Sequence, residues 1–139
     1  MILTFLAWHL PIAYDFALEH EGWHDVEHIC FLGTSIPFWW HIILPWPAQK
    51  QIRNWGMLIY LVSADVVNTL LSAFLAFCDR PIYLFYVNHP NSFGIQPTED
   101  QVLGAAIMWV MGSLAFLIPA MIITVRLLRP SQLILRCVQ

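Results

Sequence analysis

Three long apolar segments dominate the sequence and limit what the chain can fold into. They cover residues 26–44, 56–78 and 102–128. A helix of about 20 apolar residues crosses the hydrocarbon core of a bilayer, so each segment is predicted to span a membrane. A shorter apolar piece at residues 2–10 ends before Pro11, which is expected to break it. We therefore predict an all-α membrane protein. It is a bundle of three main transmembrane helices plus a short N-terminal segment, in a single transmembrane domain over residues 1–139.

The composition agrees with a lipid environment. Charged residues make up 11% of the chain, hydrophobic residues make up 59%, and the mean hydropathy is +0.65. Soluble domains carry roughly 25% charged residues, so the bilayer is the expected surroundings. The net charge is -3 with only six Lys and Arg residues, so no nucleic-acid partner is expected. Cys30, Cys78 and Cys137 lie far apart, which argues against a disulfide framework or a zinc ribbon.

The basic residues predict an orientation. Lys50 and Arg53 follow the first predicted span, and Arg126, Arg129 and Arg136 follow the third. Three alternating crossings put both groups on one side, which the positive-inside rule makes cytoplasmic. We thus expect a multi-pass protein of the bacterial cytoplasmic (inner) membrane. Residues 11–25 and 79–100 then lie on the outer, periplasmic side.

The densest polar cluster, HEGWHDVEH at residues 20–28, stands at the outer entrance of the first span. His24 and His28 are four residues apart and share one face of a helix, where two imidazoles can bind one transition metal. Imidazole suits copper and zinc alike, so the spacing leaves the metal open. Histidines near an interface can instead cap helices or bond neighbours, which is the non-metal alternative. The predicted metal ligands are His24 and His28, supported by His20, His9 and Glu27.

The same stretch contains HDVEH, which fits the H-x-x-E-H pattern of inverted zinc proteases. In such an enzyme the glutamate activates a zinc-bound water, and a later acidic residue completes the site. Glu99 is the available residue here. The short loops offer little room for a substrate cleft, so this is the less favoured hypothesis.

Two polar residues interrupt the second span. Asp65 and Asn68 are three apart and lie on one helix face. For Asn68 we expect a hydrogen bond between helices. For Asp65 an intramembrane partner or pathway is the alternative to simple packing, because a carboxylate is costly in lipid.

Several blocks resemble the CtaG family. They are WHLP at residues 8–11, His24 with Glu27 and His28, FWW at residues 38–40, and EDQVLGAAIMW at residues 99–109. CtaG proteins are multi-spanning membrane proteins tied to the assembly of caa-type cytochrome c oxidase, to which they are thought to deliver copper. The resemblance implies copper as the metal, with zinc less favoured. It also implies metal capture and transfer without enzymatic turnover.

The chain resembles only the C-terminal part of that family, whose members have more spans. The sequence therefore leaves two alternative functions. The first is copper handling for a haem-copper oxidase at the outer membrane face. The second is a non-catalytic accessory subunit of a large respiratory or photosynthetic membrane complex. The expected partners are subunits of such a complex, the lipid bilayer, and a second copy of this chain that could supply the missing half.

Overall fold

The computed structural model describes residues 1–43, 50–89 and 94–128, and within these ranges the chain folds into helices without any strand. The helices are α1 (Ile2–Trp8), α2 (Pro11–Glu19), α3 (Glu21–Ile43), α4 (Lys50–Phe77), α5 (Leu84–Asn88) and α6 (Pro97–Leu128). The all-α prediction is confirmed. Leu44, Arg129, Arg136 and Cys137 lie outside the described residues.

The N-terminal segment is broken at Pro11, as predicted. α1 ends at Trp8, and Pro11 is the first residue of α2, where its fixed φ suits a helix start. Leu10 is extended, with ψ at 133°, because a residue before proline avoids the helical region. A second break falls at His20, which is also extended and separates α2 from α3.

α4 and α6 form the centre of the fold. They run antiparallel, since Leu75 packs with Ala105 at one end and Leu61 with Phe116 at the other. Residues Trp55–Phe77 and Pro97–Leu128 are long and apolar enough to cross a membrane, with mean hydropathies of 1.8 and 2.2. Only 28% and 17% of these segments is buried by the rest of the chain. Their outer faces are therefore free for lipid or for a partner, as in a membrane protein.

The prediction of three spans needs correction. In the part of the chain that the structure describes, two helices meet the length and composition needed for a span, and α3 is not one of them. α3 has 23 residues, which is long enough, and it continues through Pro37 to Ile43. Glu27, His28 and His41 lower its apolar character. The second and third predicted spans correspond to α4 and α6, which begin six and five residues earlier than predicted.

Two clusters hold the helices together at opposite ends. The first joins Phe38 of α3 to Leu61 and Phe116, and Met1 packs against it. The second, formed by Leu75, Tyr83 and Ala105, lies where α4 ends and α6 begins, with residues of α2 and α5 against it. α3 therefore packs on the first cluster through its C-terminal part.

Candidate functional site

The structure brings His24 and His28 together on α3. Their Nε2 atoms lie 3.2 Å apart, and the rings meet edge to face at 89°. The separation of four residues produces this contact, since residues i and i+4 lie one turn apart. His28 is exposed and His24 is half-buried. The pair is therefore open to a ligand from outside the chain.

The spacing of the two nitrogens suits a transition metal. Imidazole–zinc bonds are about 2.0–2.1 Å long, so two nitrogens on a tetrahedral ion lie roughly 3.3 Å apart. The separation of 3.2 Å between the Nε2 atoms is close to this value. As the pair stands, the Nε2–H group of one ring donates to the Nε2 atom of the other. A metal ion would replace the shared proton and use both lone pairs.

Glu27 turns away from this pair and into the protein, with 9% of its surface exposed. Burial is the main cause of the pKa shifts of His9, Tyr14 and Tyr83, and it lowers the pKa of His9 and raises those of the tyrosines. The negative charge of Glu27 is a smaller cause that raises the pKa of all three. The buried Glu27 carboxylate is therefore close enough to these three side chains for its charge to act on them.

His9 and His20 are each held by their own helices. The Nδ1 of His9 donates to the carbonyl of Phe5 at 2.7 Å, and that of His20 donates to Phe16 at 3.1 Å. In the neutral ring this leaves a lone pair on Nε2, the form in which a histidine binds a metal. Burial lowers the pKa of His9, and the bond to Phe5 and the charge of Glu27 oppose that shift only in part. His9 is therefore disposed to stay neutral.

The five predicted ligands do not assemble around one point. Within residues 1–43, 50–89 and 94–128, no group of three or more His, Cys, Asp or Glu side chains is placed to hold one metal ion. His24 and His28 form a pair, whereas His9 ends α1, His20 ends α2, and Glu27 is buried. The described structure thus brings two of the five predicted ligands together.

The protease hypothesis lacks its third ligand. Glu99 caps the start of α6, where its carboxylate accepts a hydrogen bond from the backbone of Gln96 at 3.4 Å. It forms no metal-binding group with His24 and His28 in the described structure. α6 begins at Pro97, which suits a first helical position because proline has no backbone N–H group that would need a partner there. Gln96 is the residue that precedes the helix and caps it.

Sequence reasoning missed a cleft of about 290 Å³ beside the second cluster. Three tyrosines form its aromatic side. The hydroxyls of Tyr14 and Tyr86 lie 3.1 Å apart, and the rings of Tyr14 and Tyr83 are 4.1 Å apart. Burial is the largest cause that raises the pKa of Tyr83 to about 12, and the negative charge of Asp15 is the next largest. The one signal in the sequence was the i, i+3 spacing of Tyr83 and Tyr86 in RPIYLFY.

Two polar side chains fix the cleft in place. Asp15 of α2 accepts hydrogen bonds from the backbone N–H groups of Leu84 and Phe85 at 3.1 and 3.2 Å, which caps α5. Gln101 of α6 accepts from the N–H of Ile82 at 2.7 Å and donates to the carbonyl of Leu75 at 3.0 Å. The EDQ block therefore binds the start of α6 to the end of α4.

The remaining polar residues of α4 have distinct surroundings. Asn68 donates to the carbonyl of Met108 at 3.5 Å, so it bridges α4 and α6 as predicted. The Oδ1 atom of Asp65 and the Oγ atom of Ser72 are buried and have no hydrogen-bond partner in the described structure. For Asp65, an intramembrane partner or pathway therefore stays a prediction.

Comparison with known proteins identifies a family for this chain. No curated protein and no solved structure matches the chain. A family profile, that of the cytochrome c oxidase caa3 assembly factors, matches residues 1–130. This range contains the histidine pair, the cleft and all six helices described above. The chain therefore belongs to the family of cytochrome c oxidase caa3 assembly factors (Caa3_CtaG).

Proposed function

We propose that this chain assists the assembly of a haem-copper oxidase by holding a copper ion as cargo between His24 and His28 at the outer face of the bacterial inner membrane. The role is capture and transfer, without turnover. The observation that carries the proposal is the convergence of the two Nε2 atoms, 3.2 Å apart on an open helix face. Copper accepts imidazole ligands, and membership of an oxidase assembly family favours it over zinc.

The pair would form an exchangeable half-site. Two imidazoles leave coordination positions free on the ion, and the described chain supplies no third ligand of the His, Cys, Asp or Glu type at that point. A copper-accepting subunit or a second copy of the chain would complete the coordination. An incomplete site suits copper transfer, because ligands of the acceptor can bind the ion before the two histidines dissociate from it.

A second function is favoured by the surface of α3. From residue 26 onward its exposed large apolar residues recur at spacings of three and four and form one stripe, namely Val26, Ile29, Leu32, Ile36, Trp40 and Ile43. A stripe of this period is typical of a helix that packs on another helix. α3 is also too polar to qualify as a lipid-facing span. These features support a non-catalytic accessory subunit that docks through α3 in a larger complex.

Copper binding by purified protein tests the first function. The intact chain in detergent is loaded with Cu(I) and passed over a chelating resin, and retained copper per chain is measured. We expect retention by the wild type and by His89→Ala, a control whose imidazole is exposed and hydrogen-bonds the carbonyl of Phe85 in its own helix. We expect loss of copper in the double variant His24→Ala, His28→Ala.

Equal retention in the wild type and the double variant would overturn the copper site. Metal-free wild type that co-purifies with a large membrane complex would favour the accessory subunit. The single variants sharpen the assignment. Since two imidazoles act together, each single substitution should lower copper affinity nearly as much as the double one.

A further inference from the structure

The cleft beside the second cluster has hydrogen-bonding capacity that the described residues do not use. Its Tyr14 and Tyr86 hydroxyls bond each other, which uses one hydroxyl proton and leaves the other proton and lone pairs on both oxygens. His9 presents a free Nε2, because its Nδ1 is bonded to Phe5. Asp100 lines the same cleft, and no described side chain donates to its carboxylate. The unused groups are therefore mainly acceptors.

The charge around the cleft is negative. Asp100 lies in its wall, and Glu27 is near enough for its charge to act on His9, Tyr14 and Tyr83. Asp15 acts in the same way on Tyr83. Gln101 also lines the cleft, but its amide is occupied by Ile82 and Leu75. Free acceptors, carboxylates and aromatic rings together favour a cation that carries N–H donors.

One wall of the cleft is apolar and continues onto the outer surface of α6. Leu103 and Ile107 line the cleft and expose 52% and 56% of their surfaces. Both lie in the first three turns of a helix that is long and apolar enough to span a membrane. An amphiphile bound in the cleft could therefore lay its apolar part on these two side chains.

We propose that this cleft binds the ammonium head group of a membrane amphiphile, with the apolar chain lying along Leu103 and Ile107. The ammonium group contacts Asp100, the Tyr14–Tyr86 hydroxyl pair and the Nε2 atom of His9. The volume of about 290 Å³ holds a head group and the first carbons of a chain, and it leaves the remainder in lipid. The site is separate from the histidine pair and does not depend on copper.

Lipid retention by the intact protein tests the proposal. The chain is purified in mild detergent, incubated with phosphatidylethanolamine or phosphatidylglycerol of the same acyl composition, and examined by native mass spectrometry. We expect one phosphatidylethanolamine per chain and no comparable retention of phosphatidylglycerol. Asp100→Asn and Tyr86→Phe should each weaken retention roughly tenfold. The first removes the negative charge that attracts the ammonium group, and the second removes a hydroxyl acceptor. Asp79→Asn, an exposed acid in the neighbouring loop, is the matched control.

Several results would overturn the proposal. One is equal retention of the two lipids, and another is unchanged retention in both Asp100→Asn and Tyr86→Phe. Soluble ethanolamine that binds while the lipid does not would indicate a site for free amines and would contradict the amphiphile. Leu103→Trp, which enlarges a side chain of the apolar wall, should reduce lipid binding without changing binding of Cu(I) at His24 and His28.

Discussion

Asn68 of α4 and Gly112 of α6 pack directly against each other. A Cβ atom built at Gly112 would lie 2.7 Å from the Cγ atom and 2.8 Å from the Oδ1 atom of Asn68, so the Asn68 amide would have to shift. The same asparagine donates to the carbonyl of Met108. The contact therefore sets how closely the two longest helices approach, in the way that small residues permit in membrane bundles.

Gly112→Ala should destabilise the protein by about 1–3 kcal/mol, because the added methyl group forces the Asn68 amide aside. Gly104→Ala is the matched control, since nothing lies within 4 Å of a Cβ atom there. It should be neutral or stabilising by up to about 1 kcal/mol through helix propensity. Unfolding in detergent followed by circular dichroism measures both.

The double variant Asn68→Ala, Gly112→Ala separates crowding from other causes. With the amide removed there is room for the methyl group, so the double variant should be more stable than the sum of the single effects predicts. Strict additivity would show that the two residues do not interact.

Asp15→Ala should detach α5 from α2. The carboxylate accepts from the N–H groups of Leu84 and Phe85, and loss of such a cap costs about 0.5–2 kcal/mol. Hydrogen exchange at these two amides should accelerate, as measured by mass spectrometry or NMR. Asp79→Ala removes an exposed acid from the same loop and should leave both amides protected. Unchanged exchange in Asp15→Ala would contradict the cap.

Gln101→Ala should destabilise the junction of α4 and α6 by roughly 1–3 kcal/mol, since it leaves the N–H of Ile82 and the carbonyl of Leu75 without their partner. Gln101→Glu keeps the acceptor for Ile82 and loses the donor to Leu75, so an intermediate effect is expected. Chemical unfolding in detergent measures the series. Equal stability of Gln101→Ala and wild type would show that these bonds do not matter.

His9 should make stability depend on pH. Burial lowers its pKa below 6.5 in the folded chain, so the unfolded chain binds the proton more readily. The stabilisation is fully present above pH 6.5 and is lost as the pH falls through the lowered folded pKa. Melting temperatures from pH 5 to 8 should fall more steeply toward acid in wild type than in His9→Gln. His89→Gln should behave as wild type, and a His9→Gln curve identical to wild type would refute this role.

Much of the helical framework could be predicted because it depends on local patterns. Pro11 breaks a helix wherever it lies, and the i, i+4 spacing of His24 and His28 produces a contact on any helix. The apolar runs of α4 and α6 are long enough to be recognised in the sequence as membrane-spanning helices. The error at α3 has the same origin. A run that includes Glu27, His28 and His41 has the length of a span without its composition.

Local patterns along the chain were sufficient to predict the all-α membrane class, the two strongly apolar helices and the contact between His24 and His28. Packing between helices placed Glu27 in the interior, joined Gln101 of α6 to the end of α4, and gathered three tyrosines around a cleft. These contacts join residues that are far apart in the sequence. Tyr14 meets Tyr86 across 72 residues, and Asp15 caps a helix 69 residues later. Periodicity within one helix carries no information about such pairs, which packing between helices selects.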